Sequence, residues 1–102
     1  MIEQNMRLQW ESAVSIAEMG GAPEVDLHGC DVVDAEMRVE RFLAESYRLG
    51  ESVVKIVHGR GTGVLQDAMR RLLSNHSLVA YSRGSTNPHE QGAVMYALIA
   101  NK

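Results

Sequence analysis

The sequence predicts an α/β fold: a two-layer sandwich in which two helices cover one face of a four-stranded mixed sheet. Three observations carry that reading. Short β-branched, apolar stretches alternate with longer stretches of helical spacing, which is the pattern of strand–helix–strand units. Glycines stand at the joints between them. The chain has 102 residues, 45% of them apolar, enough for one small core and too few for two. The expected order is α-β-α-β-α-β-β, a βαβαββ domain at 23–102 behind an N-terminal helical arm and linker at 1–22.

The arm is predicted helical over 4–18, where Met6, Trp10, Ala13, Val14 and Ala17 form one apolar stripe before Gly20-Gly21 stops it. The stripe suits packing onto the domain, with Trp10 buried, or onto a partner. Glu24 to His28 alternates polar and apolar and reads as a strand, with Asp26 and His28 on one face. Residues 32–49 form the clearest helix: Asp31 or Asp34 caps it, Ala35, Val39, Phe42, Leu43 and Ser46 face inward, and Gly50 follows. Ser52 to His58 is a second strand, apolar on both faces except at Lys55, which suggests a covered, central or parallel position. A helix follows over Val64–Leu73, capped by Thr62, with Val64, Leu65, Ala68, Met69, Leu72 and Leu73 inward. Leu78–Ser82 is a third strand and Gly92–Ile99 a fourth. The loop between them is short enough to make the pair antiparallel.

Composition narrows the function. No apolar run approaches the roughly 18 residues of a membrane span. Met1 to Arg7 lacks the apolar segment of a signal peptide. A single cysteine, Cys30, suits a reducing compartment, and the cytoplasm is the expected location. The net charge of −3 is unevenly spread. Residues 1–51 carry eleven acids against four bases, while residues 52–102 carry two acids against six bases. Lys55, Arg60, Arg70, Arg71 and Arg83 fall in one stretch with Asp67 as its one acid. Such a half can present a positive face to a polyanion, or be an ordinary solvated surface.

The chemistry concentrates at two strand ends. One runs Asp26-Leu27-His28-Gly29, the other Val57-His58-Gly59. If the strands are parallel, both His-Gly ends lie at the carboxyl edge of the sheet, where open α/β folds bind ligands. Gly59-Arg60-Gly61-Thr62-Gly63 sits between strand and helix, where unsatisfied backbone N–H groups and the helix dipole hold anions. Neither nucleotide fingerprint fits: no Lys-Ser/Thr pair follows, and the third glycine comes one position early for a dinucleotide site. Asp26, His28, His58 and His89 lack the spacing of a metal centre, and Cys30 beside His28 has nothing else to specify a thiol nucleophile. Together these groups would suit phosphodiester chemistry; the alternatives are structural histidines at the strand ends and an ordinary strand–helix turn. His28 and His58 would move protons. Asp26 would orient or charge His28. Arg60 would clamp a phosphate held by the Gly59, Gly61, Thr62 and Gly63 backbone. Lys55, Arg70, Arg71 and Arg83 would form an accessory basic face.

Val25-Asp26-Leu27-His28-Gly29, followed some thirty residues later by His58-Gly59-Arg60-Gly61 and Val64-Leu65, resembles the Smr (small MutS-related) domain. The resemblance spans about 24–99. Gly61-Thr62-Gly63 looks most like the Smr domains at the C-terminus of bacterial MutS paralogues, so the chain is either a stand-alone Smr protein or a fragment. The resemblance implies a βαβαββ fold similar to the C-terminal domain of a bacterial translation initiation factor. It also implies nucleic-acid binding and, in many members, endonuclease activity: DNA nicking, or RNA cleavage linked to stalled ribosomes. The alternative is a non-catalytic module that binds nucleic acid or the ribosome. No cofactor is required for RNA cleavage by an internal 2′-OH, whereas DNA nicking by water is compatible with a divalent metal. The family pattern Gly-Gly-x-Gly before the last strand is here His89-Glu90-Gln91-Gly92, with only Gly92 matching.

Overall fold

A computed structural model describes residues 2–100, with side chains described from residue 5. Its elements are α1 (Ile2–Gly20), β1 (Glu24–Asp26), α2 (Val32–Arg48), β2 (Val53–Val57), α3 (Val64–Asn75), β3 (Val79–Gly84) and β4 (Val94–Ile99). They form one four-stranded sheet in the order β1-β2-β4-β3. β1 and β2 are parallel, while β4 runs antiparallel to both β2 and β3. β4 is thus inserted between the strands joined by α3.

Alternation along the two central strands decides the layering. Val54 and Ile56 of β2, with Met95, Ala97 and Ile99 of β4, join Ala35, Val39 and Leu43 of α2 and Ala68, Met69 and Leu73 of α3 in the main core. Val53 of β2 and Val94 and Tyr96 of β4 point the other way and meet Val14 of α1 in a second, smaller cluster. The sheet is therefore covered on both faces, which is why β2 carries no polar face. Counting α1, the molecule has three layers.

A polar clasp secures α1. Glu11 and Glu18 lie seven residues apart on either side of the fully buried Val14, on one helix face. Both carboxylates grip Arg83 of β3. Glu11 also accepts from the Tyr81 hydroxyl, and Glu18 accepts from the Thr86 N–H at 2.9 Å and the Ser85 hydroxyl at 3.1 Å. Trp10 stacks on Tyr81 with ring centroids 6.0 Å apart.

Several boundaries differ from expectation for local reasons. β1 stops at Asp26, because its carboxylate takes the His28 N–H and turns the chain. β3 runs on to Gly84, because Arg83 and Gly84 pair with Tyr96 and Met95. β4 starts at Val94, because the N–H groups of Ala93 and Val94 are both held by the Glu90 carbonyl. Gly63 rather than Thr62 caps α3, with φ +91°, and Val64 at its start is exposed.

Candidate functional site

Register brings the two His-Gly segments to one edge. Asp26 stands opposite Val57 in the parallel pair, and the Leu27 N–H continues the ladder to the Val57 carbonyl at 2.8 Å. Beyond that point the two chains diverge. From β1, the Asp26 carboxylate accepts the His28 N–H at 2.9 Å, and the chain turns through Gly29 and Cys30 into α2. There Asp31 caps the helix by accepting the Asp34 N–H at 2.8 Å. From β2, the N–H groups of His58 and Gly59 both donate to the Ala93 carbonyl at 2.9 Å. Among the described residues, the N–H groups of Arg60, Gly61, Thr62 and Gly63 donate to no protein acceptor. They lie at the N-terminal, electropositive end of α3.

A cleft of about 570 Å³ opens between these two turns. The whole Gly59–Gly63 segment forms one wall, Cys30 and Asp31 stand opposite, and His58, Gln66 and Gly92 also border it. His58 is buried. Its Nδ1 lies 2.9 Å from the Gly59 carbonyl oxygen. A carbonyl can only accept, so Nδ1 carries the proton and the neutral ring leaves Nε2 as a bare acceptor. Nε2 is buried and has no partner among the described residues. Burial lowers the His58 pKa below its ordinary 6.5; the Gly59 hydrogen bond opposes this and the Arg70 charge adds to it. The ring is thus neutral at neutral pH, in the form that takes a proton.

Arg60 is fixed from across the cleft. Its Nε donates to the Gln91 carbonyl and a terminal nitrogen to the His89 carbonyl, both at 3.1 Å. The loop in which His89 and Glu90 replace the expected glycines is therefore the loop that holds Arg60. Glu90 anchors it from below, receiving Lys55 at 2.6 Å, the Ser85 hydroxyl at 2.8 Å and the Tyr96 hydroxyl at 3.1 Å. Lys55 foremost holds the Glu90 pKa below the ordinary value against its own desolvation, with Ser85 and Tyr96 assisting. His89 itself is exposed.

The other expected site residues are placed differently. His28 is exposed and lines a neighbouring depression of about 410 Å³, not the cleft. Asp26 contacts the backbone of His28, not its ring, so it shapes the turn. Two members of the expected basic face are corrected. Lys55 is committed to Glu90 and, at 3.8 Å, Glu24, and Arg83 is committed to the carboxylates of α1. Both cations lie on the sheet face that α1 covers, because Lys55 alternates with Ile56 and Arg83 pairs opposite Tyr96. Arg70 and Arg71 are exposed on α3, Arg70 bound to Asp67 at 3.2 Å. Sequence reasoning missed Glu90 as an anchor and Asp31 as a cleft wall. The Glu11–Val14–Glu18 spacing was a readable sign of the α1 clasp. Among the described residues no three His, Cys, Asp or Glu side chains gather closely enough to hold a metal ion. None of the described helices is long and apolar enough to cross a membrane.

Fold and site together define an open-sheet α/β domain with a turn of free backbone N–H groups at the carboxyl ends of parallel strands. Comparison with known proteins makes this specific. The Smr domain family matches residues 25–99, and the chain belongs to that family. It is 41% identical over 70 residues to Endonuclease MutS2 of Thermomicrobium roseum, covering 69% of this chain and 9% of that protein. It is 35% identical over 86 residues to Endonuclease MutS2 of Caldicellulosiruptor saccharolyticus, covering 83% of this chain and 11% of that protein. The chain thus spans about a tenth of the length of these relatives. Among solved structures it is similar to the Smr domain of Thermus thermophilus MutS2, with a TM-score of 0.75 and 30% identity over 78% of this chain and 99% of that one. YdaL, a stand-alone small MutS-related protein from Escherichia coli, shares the fold, with a TM-score of 0.70 and 18% identity over 76% of this chain and 64% of that one.

Proposed function

We propose that the chain is a nucleic-acid endonuclease that cuts a phosphodiester in the cleft beside the Gly59–Gly63 turn. The observation that carries this is His58: a neutral imidazole whose proton is fixed on Nδ1, leaving a buried, unpartnered Nε2 on a residue that borders the same cleft as a row of free backbone N–H groups. That is a proton acceptor beside an anion cradle. The names of the MutS2 relatives support the same class of reaction.

On RNA, the Gly61–Gly63 amides hold a phosphate oxygen, and Arg60 stands over the cradle to offset the charge that builds there. Nε2 of His58 takes the proton of the 2′-OH as that oxygen attacks phosphorus. The P–O5′ bond breaks, leaving a 2′,3′-cyclic phosphate, and the departing oxygen takes a proton from water. On DNA water must attack, and a divalent cation brought with the phosphate would activate it. The expected setting is the cytoplasm, with RNA, DNA or the ribosome as partner.

The test is cleavage of end-labelled RNA and nicking of supercoiled plasmid, with and without chelator, by wild type, His58→Ala and Asp26→Ala/His28→Ala. Loss of cleavage in His58→Ala, with cyclic phosphate ends in the wild-type RNA product, is the expected result. Unchanged cutting in all variants refutes the assignment. One observation favours a second reading, a binding module without catalysis: His28 lies outside the cleft and Asp26 does not touch its ring. That reading expects salt-sensitive binding and no cut product.

A further inference from the structure

The depression beside the cleft is lined by His28, Arg38 and Arg41, with Asp34 as its one acidic residue. It is separated from the cleft by Cys30, which lines both. Both arginines are exposed and sit one helical turn apart on α2. Their charge is almost unspent. Arg38 makes one long contact, 3.4 Å from a terminal guanidinium nitrogen to the Asp26 carbonyl, which leaves most of its five donors free. Arg41 has no ion pair or side-chain hydrogen bond among the described residues. Glu45, one turn further on, is taken by Arg48 through two contacts at 3.0 and 2.7 Å. In the second half of the chain, by contrast, Lys55 and Arg83 are neutralised internally. Free cationic donors at this edge therefore sit on α2, in the half of the chain that is acidic overall.

We propose that His28, Arg38 and Arg41 form a second phosphate subsite, continuous with the cleft across Cys30, for the flanking backbone of a single nucleic-acid strand. This rests on the reading of the cleft as a phosphodiester site. A strand held by the Gly61–Gly63 amides would cross the Cys30 ridge and lay its next phosphates on the two guanidinium groups. His28 then lies along the strand's path, which gives a use to a histidine that the cleft itself does not contain.

The test is fluorescence anisotropy with fluorescein-labelled uridylate and thymidylate probes of three and ten nucleotides, over a salt series. It compares wild type, Arg38→Gln/Arg41→Gln and Arg41→Gln alone. Arg41 holds no structural contact among the described residues, so the single variant decides the matter if the double variant unfolds. Taking one cation away from a bound phosphate should lower the slope of log K against log salt by about 0.7 for a single strand. The double variant is therefore expected to lower it by about 1.4, and Arg41→Gln by about 0.7, on the ten-nucleotide probes, with three-nucleotide binding unchanged. Wild-type binding with the same slope in both variants overturns the subsite and leaves the cleft standing. Equal reductions on short and long probes overturn its continuity with the cleft. Absence of wild-type binding to any probe overturns the cleft reading, and the subsite with it.

Discussion

Replacing His58 with leucine should abolish cleavage without destabilising the fold. The imidazole is 5% exposed and makes one hydrogen bond, from Nδ1 to the Gly59 carbonyl, a contribution of about 1 kcal/mol. Its Nε2 is buried without a partner, which costs about 1–3 kcal/mol. A leucine of similar volume removes both terms, so the net change is between roughly zero and 2 kcal/mol in favour of the folded state. In a domain of this size each kcal/mol moves Tm by about 4–8 °C. Thermal unfolding of His58→Leu should therefore give an unchanged or higher Tm, while loss of a general base lowers the cleavage rate by about 10²–10⁴. The pH dependence adds a second check. Because burial lowers the His58 pKa, the unfolded chain takes up this proton at higher pH than the folded one. Its contribution to stability is complete above the unfolded pKa near 6.5 and is lost as pH falls through the folded value. That pH dependence should vanish in His58→Leu, and the acid limb of wild-type kcat/KM should lie below pH 6.5. A fall in Tm of more than about 8 °C with wild-type cleavage retained would refute the reasoning and make His58 a packing residue.

Three further outcomes follow from the same geometry. Desolvation works to raise the pKa of Glu18, but the Thr86 hydroxyl, the Thr86 N–H and Arg83 outweigh it and bring it from 4.5 to about 2. That shift corresponds to at most about 3 kcal/mol, and solvent at the rim of the clasp reduces it to about 1–2 kcal/mol. In urea titrations wild type should lose this amount as pH falls from 4.5 through 2, and Glu18→Gln should be weaker at neutral pH and lack the acid slope. Lys55→Met should leave the salt dependence of nucleic-acid binding unchanged, since its charge is already spent on Glu90, whereas Arg71→Gln should lower the slope by about 0.7. A lowered slope in Lys55→Met would contradict its placement. Gly63→Ala should cost about 1–2 kcal/mol in urea unfolding through its φ of +91° alone, because an added Cβ meets nothing within 4 Å.

The central place of β2 was legible because it depends on a local pattern, whereas two layers were expected and α1 adds a third on the other face. Val53, Val54, Ile56 and Val57 alternate on a strand with no polar face except Lys55, and the only stable home for that is a sheet covered on both sides. The insertion of β4 between β2 and β3 was not legible, since strand order depends on pairing between distant segments and leaves no local trace. The same limit governs the site. Parallel strands ending in His-Gly correctly pointed to one sheet edge, but two-residue periodicity stops where the strand stops. Asp26 ends β1 by capping the His28 N–H, so His28 belongs to a turn and its ring goes elsewhere. Charge counting failed in a similar way. Lys55, Arg83 and Arg71 are equivalent as letters, and only partners far along the chain separate the first two, neutralised on Glu90 and on α1, from the third.

The replaced glycines at His89-Glu90 are better understood as an anchor than as a defect. A glycine-rich loop approaches a ligand through its own backbone, and its shape must be fixed by something else. Here the shape is fixed by a side chain. Glu90 drops into the sheet between Lys55, Ser85 and Tyr96, and its neighbours His89 and Gln91 present the two carbonyls that hold Arg60 over the cleft. The Ser85 hydroxyl that serves Glu90 also lies 3.1 Å from Glu18, so the loop and α1 share one polar network. The helix that closes the far face of the sheet is thereby part of what fixes the loop at the cleft. Removing α1 would take away Glu18 and uncover Arg83, and the Ser85 hydroxyl that serves Glu90 would lose one of its two carboxylate partners.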